Sequence, residues 1–360
     1  MVQFNLKKIN RRMFLYGGSL ALLSFFPLFK KLKASSKIIY KISCGSCLTQ
    51  EKDQPIWKSI LREKSDIFIF MGDNVYGDNK NNSGLDLLKK AYEKQKIKIP
   101  FKKLKETNEI FSIWDDHDYG KNDGGKEFEN KKEAKDLFLK FWDIPADDIR
   151  RNREGLYFSK KRNTEIGTIQ FIFLDTRYFR SPLKPTDKKW APKKEKYTAD
   201  YDSKKTYLGN EQWNWLKETL KEKSDVIVLI SSIQVLAEGH GFEKWGNLPL
   251  EKKRLYDLID ENNIAKLIIL SGDRHRAGIY KDKTKNGNEI YELTSSSLNL
   301  AAGKLFKASE EAGPNRIWPT YLMENYGTLE INNNKNVLLS IKDLNQQTKN
   351  EIRIDLSWVS

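Results

Sequence analysis

Six short apolar runs punctuate the chain: KIIYKIS (37–43), DIFIFM (66–71), EIFSIW (109–114), TIQFIFL (168–174), DVIVLIS (225–231) and AKLIILS (265–271). Each is rich in β-branched or aromatic residues and nearly free of polar alternation, the pattern of a strand buried on both faces. Between many of them the apolar spacing turns helical, at QPIWKSILREK, SGLDLLKKAYEKQ, KKEAKDLFLKFW, NEQWNWLKETLKEK and LEKKRLYDLIDENN. Strand, helix, strand alternation predicts an α/β sheet. Three later runs, NEIYELTSS, YGTLEI and NVLLSIK, have no long helix between them and predict a second, more antiparallel sheet.

At 360 residues and 39% hydrophobic, the chain can bury a sizeable core. Its formal charge of +15 first suggests a polyanion partner. The first 36 residues hold seven basic residues and no acid, however, and without them 57 basic residues face 49 acidic ones. The remaining lysines are scattered among Glu and Asp, and no arginine-rich or aromatic-interleaved platform is present, so nucleic acid is expected only as a substrate. Residues 1–36 read as a targeting segment: a basic start with Arg11-Arg12, an apolar run from Met13 to Phe29, then Ala34, Ser35 and Ser36. NRRMFL resembles the twin-arginine export consensus. The expectation is a periplasmic or secreted protein that uses the twin-arginine translocase, with the segment either cleaved or kept as a membrane anchor.

Candidate chemistry follows the apolar runs. FIFM leads into Gly72-Asp73-Asn74-Val75-Tyr76-Gly77-Asp78, and FSIW into Asp115-Asp116-His117-Asp118. FIFL leads into Asp175-Thr176-Arg177, and LIIL into Ser271-Gly272-Asp273-Arg274-His275. In open α/β sheets the C-terminal strand edge is where loops converge on ligands. Four strands therefore deliver Asp and His to one edge, and acids so close together call for a cation. The three histidines, His117, His240 and His275, all fall in loops after apolar runs, which points to metal or phosphate contact.

These blocks, in this order, resemble the calcineurin-like metallophosphoesterase superfamily and, within it, the alkaline phosphatase D-like family. The carriers are ISCGSC, GDNVYGD, WDDHDYGKND, LDTRYFRS and SGDRHRAG, across about residues 38 to 345. Tyr76 stands where the superfamily has an acid, Asp116 replaces Asn, and Asp273 replaces the first His of the last block. The resemblance implies an αββα fold, a two-sheet β sandwich flanked by helices, as a single domain over 37–360. It implies hydrolysis of phosphodiesters or phosphomonoesters. Asp73 would bridge two cations, with Cys47, Tyr76, Asp116, Asp273 and His275 as ligands, Asn122 as a further oxygen ligand, and His117 facing the phosphate or protonating the leaving group. It favours Fe³⁺ with Ca²⁺.

Paired cations clamp an in-line displacement and lower the pKa of a bound water, so that a metal-bound hydroxide attacks phosphorus at neutral pH. The leaving oxygen needs an acid, for which His117 and His240 are candidates. Arg177 is a candidate to grip phosphoryl oxygens bidentately; the other reading is a structural salt bridge. Thiolate and phenolate suit ferric iron, while the carboxylates suit Ca²⁺, Mg²⁺ or Mn²⁺, and Zn²⁺ is a further alternative. Cys44-x-x-Cys47 also reads as a disulfide, which would remove Cys47 from the ligand set. Three functions stand: a phosphatase or phosphodiesterase for phosphate acquisition, a phospholipase or nuclease-type phosphodiesterase, and a non-enzymatic binding protein. The substrate-side walls are expected from 178–206 and 299–319.

Overall fold

Twelve strands run through the described residues of the computed structural model, which are 37–79, 84–305 and 311–356; the targeting segment expected over 1–36 lies outside them. The first three strands are β1 (Ile38–Gly45), β2 (Ile67–Met71) and β3 (Glu109–Ile113). A second group comprises β4 (Phe158–Thr164), β5 (Gly167–Phe173), β6 (Val226–Ser231), β7 (Lys266–Ser271), β8 (Ala277–Lys283) and β9 (Glu289–Ser295). The last are β10 (Asn325–Asn332), β11 (Asn336–Asp343) and β12 (Thr348–Asp355). They form two six-stranded sheets, ordered β12-β11-β10-β1-β2-β3 and β4-β5-β6-β7-β9-β8.

All six early apolar runs are strands, and each sheet has a parallel part: β1-β2-β3, which runs out to the β3 edge of the first sheet, and β5-β6-β7-β9, the centre of the second. The three later runs do not make a sheet of their own. β10 and β11 extend the first sheet antiparallel from β1, whereas β9 joins the second sheet parallel to β7. A buried apolar run carries no mark of which neighbour it pairs with, so the sequence pattern could not divide them. Strands β4, β8 and β12 are sheet edges with polar stretches such as FSKKRNT, and an edge strand half in water need not show a continuous apolar run.

The two sheets pack face to face, with helices outside both. Alternate residues explain the layering. Ile67, Ile69 and Met71 of β2 point into a core with Phe171, Phe173, Val228 and Ile230 of the other sheet. Phe68 and Phe70 point the other way, onto Trp57, Leu88, Leu104 and Phe138 of helices Ile56–Glu63, Asp86–Lys96, Ile99–Thr107 and Lys131–Phe141. Ile227, Leu229 and Ile269 likewise pack on Trp213 and Leu216 of helix Gly209–Leu220 and on Leu255 and Ile259 of helix Pro249–Glu261. This is the αββα sandwich that the family resemblance implies. Among the described residues, no helix is long and apolar enough to cross a membrane.

Each side chain of this kind, fully buried, contributes about 1.5–3 kcal/mol of transfer free energy. Ile69→Ala, in the centre of the inter-sheet layer, is expected to lower the unfolding free energy by about 2–5 kcal/mol, read as a shifted urea midpoint at unchanged slope. An unshifted midpoint would mean that Ile69 does not pack between the sheets.

Candidate metal centre

The parallel strands of each sheet end together, and the loops that follow them in the two sheets meet at one edge. There the loops after β1, β2, β3 and β7 bring in Cys47, Asp73, Asp116, His117, Asp273 and His275. Their ligand atoms form three overlapping groups: Cys47 with Asp73 and His275; Asp73 with Asp116 and His117; Asp73 with Asp115, Asp116 and Asp273. Within each group the atoms lie within 4.8 Å of one another. Asp73 belongs to all three, as a bridging carboxylate must.

The backbone is bent to achieve this. Cys47 (φ 56°), Asp73 (φ 52°), Asp273 (φ 68°) and His275 (φ 53°) all occupy the left-handed region, which costs a non-glycine residue energy and recurs at functional sites. Gly72, at φ 96°, lets the Asp73 loop press on the next one: a Cβ there would lie 2.5 Å from Asp115 Cβ. Asp118 ties the two loops together, accepting from the backbone N–H of Asp115 at 2.6 Å and of Asp73 at 3.1 Å.

Hydrogen bonds orient the ligands. Cys47 Sγ and Tyr76 Oη both donate to Asp73 Oδ2, at 3.2 and 3.1 Å, and Ser296 Oγ lies 3.1 Å from Cys47 Sγ. His275 Nδ1 donates to the Leu300 carbonyl, which leaves Nε2 for a cation. Burial holds its pKa down at about 4, so its imidazole is neutral and ready to coordinate. His117 Nδ1 pairs with Asp78, and the Tyr76 ring lies over the His117 ring at 4.1 Å, centroid to centroid, tilted by 32°. Burial opposes a charge on His117, but Asp116, Asp73 and Asp78 outweigh it and raise its pKa well above the ordinary value.

The acids have the opposite difficulty. Burial, then repulsion from Asp116, Asp115 and Asp118, pushes Asp73 well above the usual carboxylate range. Burial and neighbouring acids do the same to Asp273. Burial and the Asp73 charge raise both Cys47 and Tyr76. Asp115 Oδ2 and Asp116 Oδ1 are buried without a hydrogen-bond partner. One thiol, one phenol, several carboxylates and one imidazole, with orphaned oxygens among them, fit a pair of hard or borderline cations. Beside this set, Asn122 lines a cavity of about 500 Å³ with Asp116, His117, Asp273 and His275. No disulfide removes Cys47: both cysteines are free, and Cys44 faces the inter-sheet core.

Two sequence candidates sit elsewhere. Arg177 does not line the cavity. It is 0% exposed, with Nε donating to Asp115 at 2.5 Å and Nη1 to Glu243 at 2.6 Å. Glu243 also pairs with Arg180 Nε at 3.0 Å, and Ser232 Oγ donates to Asp115 at 2.6 Å. Arg177 is thus the salt bridge of the other reading, bracing the loops beneath the site. His240 is 2% exposed and both ring nitrogens are engaged: Nε2 with Gln234 Oε1 at 2.9 Å, and Nδ1 accepting from Phe242 N at 3.2 Å. Burial, with Arg274 and Lys244 nearby, holds its pKa well below normal, so the ring stays neutral and its one N–H is engaged with Gln234 rather than offered to a leaving group.

Other site residues escaped the sequence reading. Asp78 sits in the quoted GDNVYGD block, and the need of His117 for an orienting carboxylate was the available signal. Trp190, Lys196, Phe242 and Arg274 line the cavity, the first two from the expected 178–206 wall. From the second expected wall comes Glu311, which pairs with Arg274 behind the cavity.

Comparison with known proteins agrees with this geometry. A family model described as PhoD-like phosphatase matches residues 39–340. A solved structure titled "Structure of PhoD" superposes with a TM-score of 0.65 at 16% identity, covering 89% of this chain and 69% of that one. Purple acid phosphatase PPD1 from yellow lupin (Lupinus luteus) seeds gives 0.57 at 13% identity, over 88% of this chain and 54% of that one. GAP50, titled the anchor in the inner membrane complex of Plasmodium, gives 0.56 at 13% identity, over 89% of each. No curated protein matches.

Cation binding requires ionised ligands, whereas burial holds Cys47, Tyr76, Asp73 and Asp273 toward their protonated forms. Mn²⁺ or Ca²⁺ uptake is therefore expected to release protons and to weaken as pH falls. Calorimetry in buffers of different ionisation enthalpy checks this; heats independent of buffer contradict it. Arg177→Met strands two buried acids and should cost about 3–5 kcal/mol of stability, measured by chemical denaturation. A loss under 1 kcal/mol would return Arg177 to the list of substrate contacts.

Proposed function

This chain belongs to the PhoD-like phosphatase family, and on that premise we propose that its cavity is the active site of a metal-dependent phosphoesterase that cleaves phosphodiesters, phosphomonoesters or both. The observation that carries the proposal is the sharing of Asp73 by three ligand groups, four of whose members, Asp116, His117, Asp273 and His275, line one cavity. Cys47, Asp73, Tyr76, Asp116, Asn122, Asp273 and His275 would hold the cations, with Fe³⁺ and Ca²⁺ as the pair that the family resemblance favours. Cations bound there supply positive charge for the phosphoryl oxygens and acidify water.

The chain's own side chains do the rest. Asp78 fixes the His117 ring through Nδ1, and the Tyr76 ring lies against its face, so Nε2 is the atom left to protonate the leaving oxygen. Lys196 and Arg274 add positive charge at the cavity wall, the part the sequence assigned to Arg177. Arg177, which does not line the cavity, holds the Asp115 and Glu243 loops in register. The proposal extends to export: the Arg11-Arg12 segment supports twin-arginine transport to the periplasm or cell surface, and a phosphatase placed there serves phosphate acquisition.

The test is hydrolysis of bis-p-nitrophenyl phosphate and p-nitrophenyl phosphate by the full chain, with and without chelator. Cleavage is expected to be lost with chelator and restored by added metal, absent in Asp73→Asn, and reduced about 10²–10⁴-fold in His117→Asn. The ratio of rates on the two esters assigns diesterase or monoesterase preference. Metal-loaded protein that cleaves neither ester would sink the reading and leave a binding role.

A further inference from the structure

The rim of the cavity differs in chemistry from its floor. Among the described residues that line it, only Trp190 and Phe242 are apolar. Trp190 is 72% exposed and sits in the left-handed region at φ 66°, a costly conformation for so bulky a residue. Its setting is nonetheless firmly built. Residues 184–198 fold back on themselves, with Thr186 N donating to Lys196 O at 3.0 Å, Trp190 N to Glu195 O at 3.1 Å and Thr198 N to Lys184 O at 3.1 Å. Lys196 N and Tyr197 N both donate to Gly241 O, at 3.0 and 2.7 Å, which anchors the strap beside the cavity. A side chain at Gly241 would drive into this strap, 2.6 Å from Lys193 O and Glu195 N.

Phe242 meets Trp190 edge-on, with centroids 6.0 Å apart at 70°. The Arg274 guanidinium covers the Phe242 ring at 4.2 Å, so the indole is the aromatic surface still open. Two cations line the same cavity. Lys196 Nζ is held by Asp123 at 2.6 Å. Arg274 is 8% exposed, pairs with Glu311, and keeps a buried Nε donor with no hydrogen-bond partner. A buried, unsatisfied guanidinium donor in the wall of a cavity asks for an anionic oxygen.

Resting on the phosphoesterase reading above, we infer that the cavity selects phosphoesters whose remaining substituent is a flat aromatic group, with a nucleobase as the chemical class. The base stacks on the Trp190 indole while Lys196 and Arg274 meet phosphoryl oxygens. Stacking on an aromatic side chain tolerates any base, since every base has a π face. A glycerolipid would instead need an apolar groove continuing from the cavity for its acyl chains. The two aromatic residues do not make one, because Arg274 already covers Phe242.

The experiment compares two diesters with one leaving group, thymidine 5′-monophosphate p-nitrophenyl ester and methyl p-nitrophenyl phosphate, on the metal-loaded full chain. The KM for the nucleoside ester is expected to be about ten-fold the lower, the size of one base stack. Trp190→Ala should raise that KM about ten-fold more than it raises the KM of the methyl ester, and Trp190→Phe should restore most of the difference. Equal KM values in the wild type, equal effects of Trp190→Ala on both esters, or a lower KM for a short-chain phospholipid would each overturn the inference. A second arm needs no turnover: calorimetric binding of thymidine 5′-monophosphate against 2-deoxyribose 5-phosphate, in the wild type and Trp190→Ala. Tighter nucleotide binding that Trp190→Ala removes supports the subsite even if neither ester is cleaved, a result that would end the phosphoesterase reading alone. Equal binding of the two phosphates overturns the subsite whatever the activity.

Discussion

Five carboxylates crowd one edge of two sheets, and the architecture around them is set by that burial. Asp73, Asp115, Asp116, Asp118 and Asp273 are largely withdrawn from water within one loop cluster, where like charges repel strongly and hydration is lost. The protein's own compensation is partial. Arg177 neutralises Asp115, backbone N–H groups satisfy Asp118, and the His117 charge leans on Asp116 and Asp73. What remains uncompensated is centred on Asp73, and it is the part whose ligand atoms converge. Structural charges have been paired within the fold; the pairing stops where a cation is wanted.

That division also separates what could be read in the sequence from what could not. The central strands were legible because burial on both faces writes a continuous apolar run, and the acids were legible because they follow those runs without a spacer. Asp73, Tyr76, Asp116, Asp273 and His275 were all placed on one edge by that argument, while Cys47 came only from the family resemblance. The edge strands β4, β8 and β12 were not legible, since one side in water dilutes the pattern. Arg177 and His240 show the limit at the site. Each follows a strand, as the ligands do, but their loops carry the side chains under the site, Arg177 to Asp115 and Glu243 and His240 to Gln234. Sequence position marks the edge; it does not mark which side of a loop faces the cavity.

The same limit applied to the outer wall. The segment 178–206 reads as polar loop with scattered Lys, Pro and Tyr, and nothing in its spacing announces that it doubles back and pins itself to Gly241. Such a strap depends on backbone hydrogen bonds, which composition barely records. The metal floor is shared chemistry assembled by strand ends, while the rim is a local elaboration, and two proteins with the same floor can differ entirely in what they admit.

The order of strands in the first sheet carries a consequence for how the molecule is made. β1, whose end leads to Cys47, is flanked by β2 on one side and by β10 on the other. Cys47 and Asp73 therefore exist early in synthesis, but their sheet is not closed until Asn325–Asn332 has emerged from the ribosome. The loops that supply Asp273 and His275 also come from the last third of the chain. A chain cut short before His275 lacks Asp273 and His275, so the three ligand groups that share Asp73 cannot all form until about three quarters of the protein has been made.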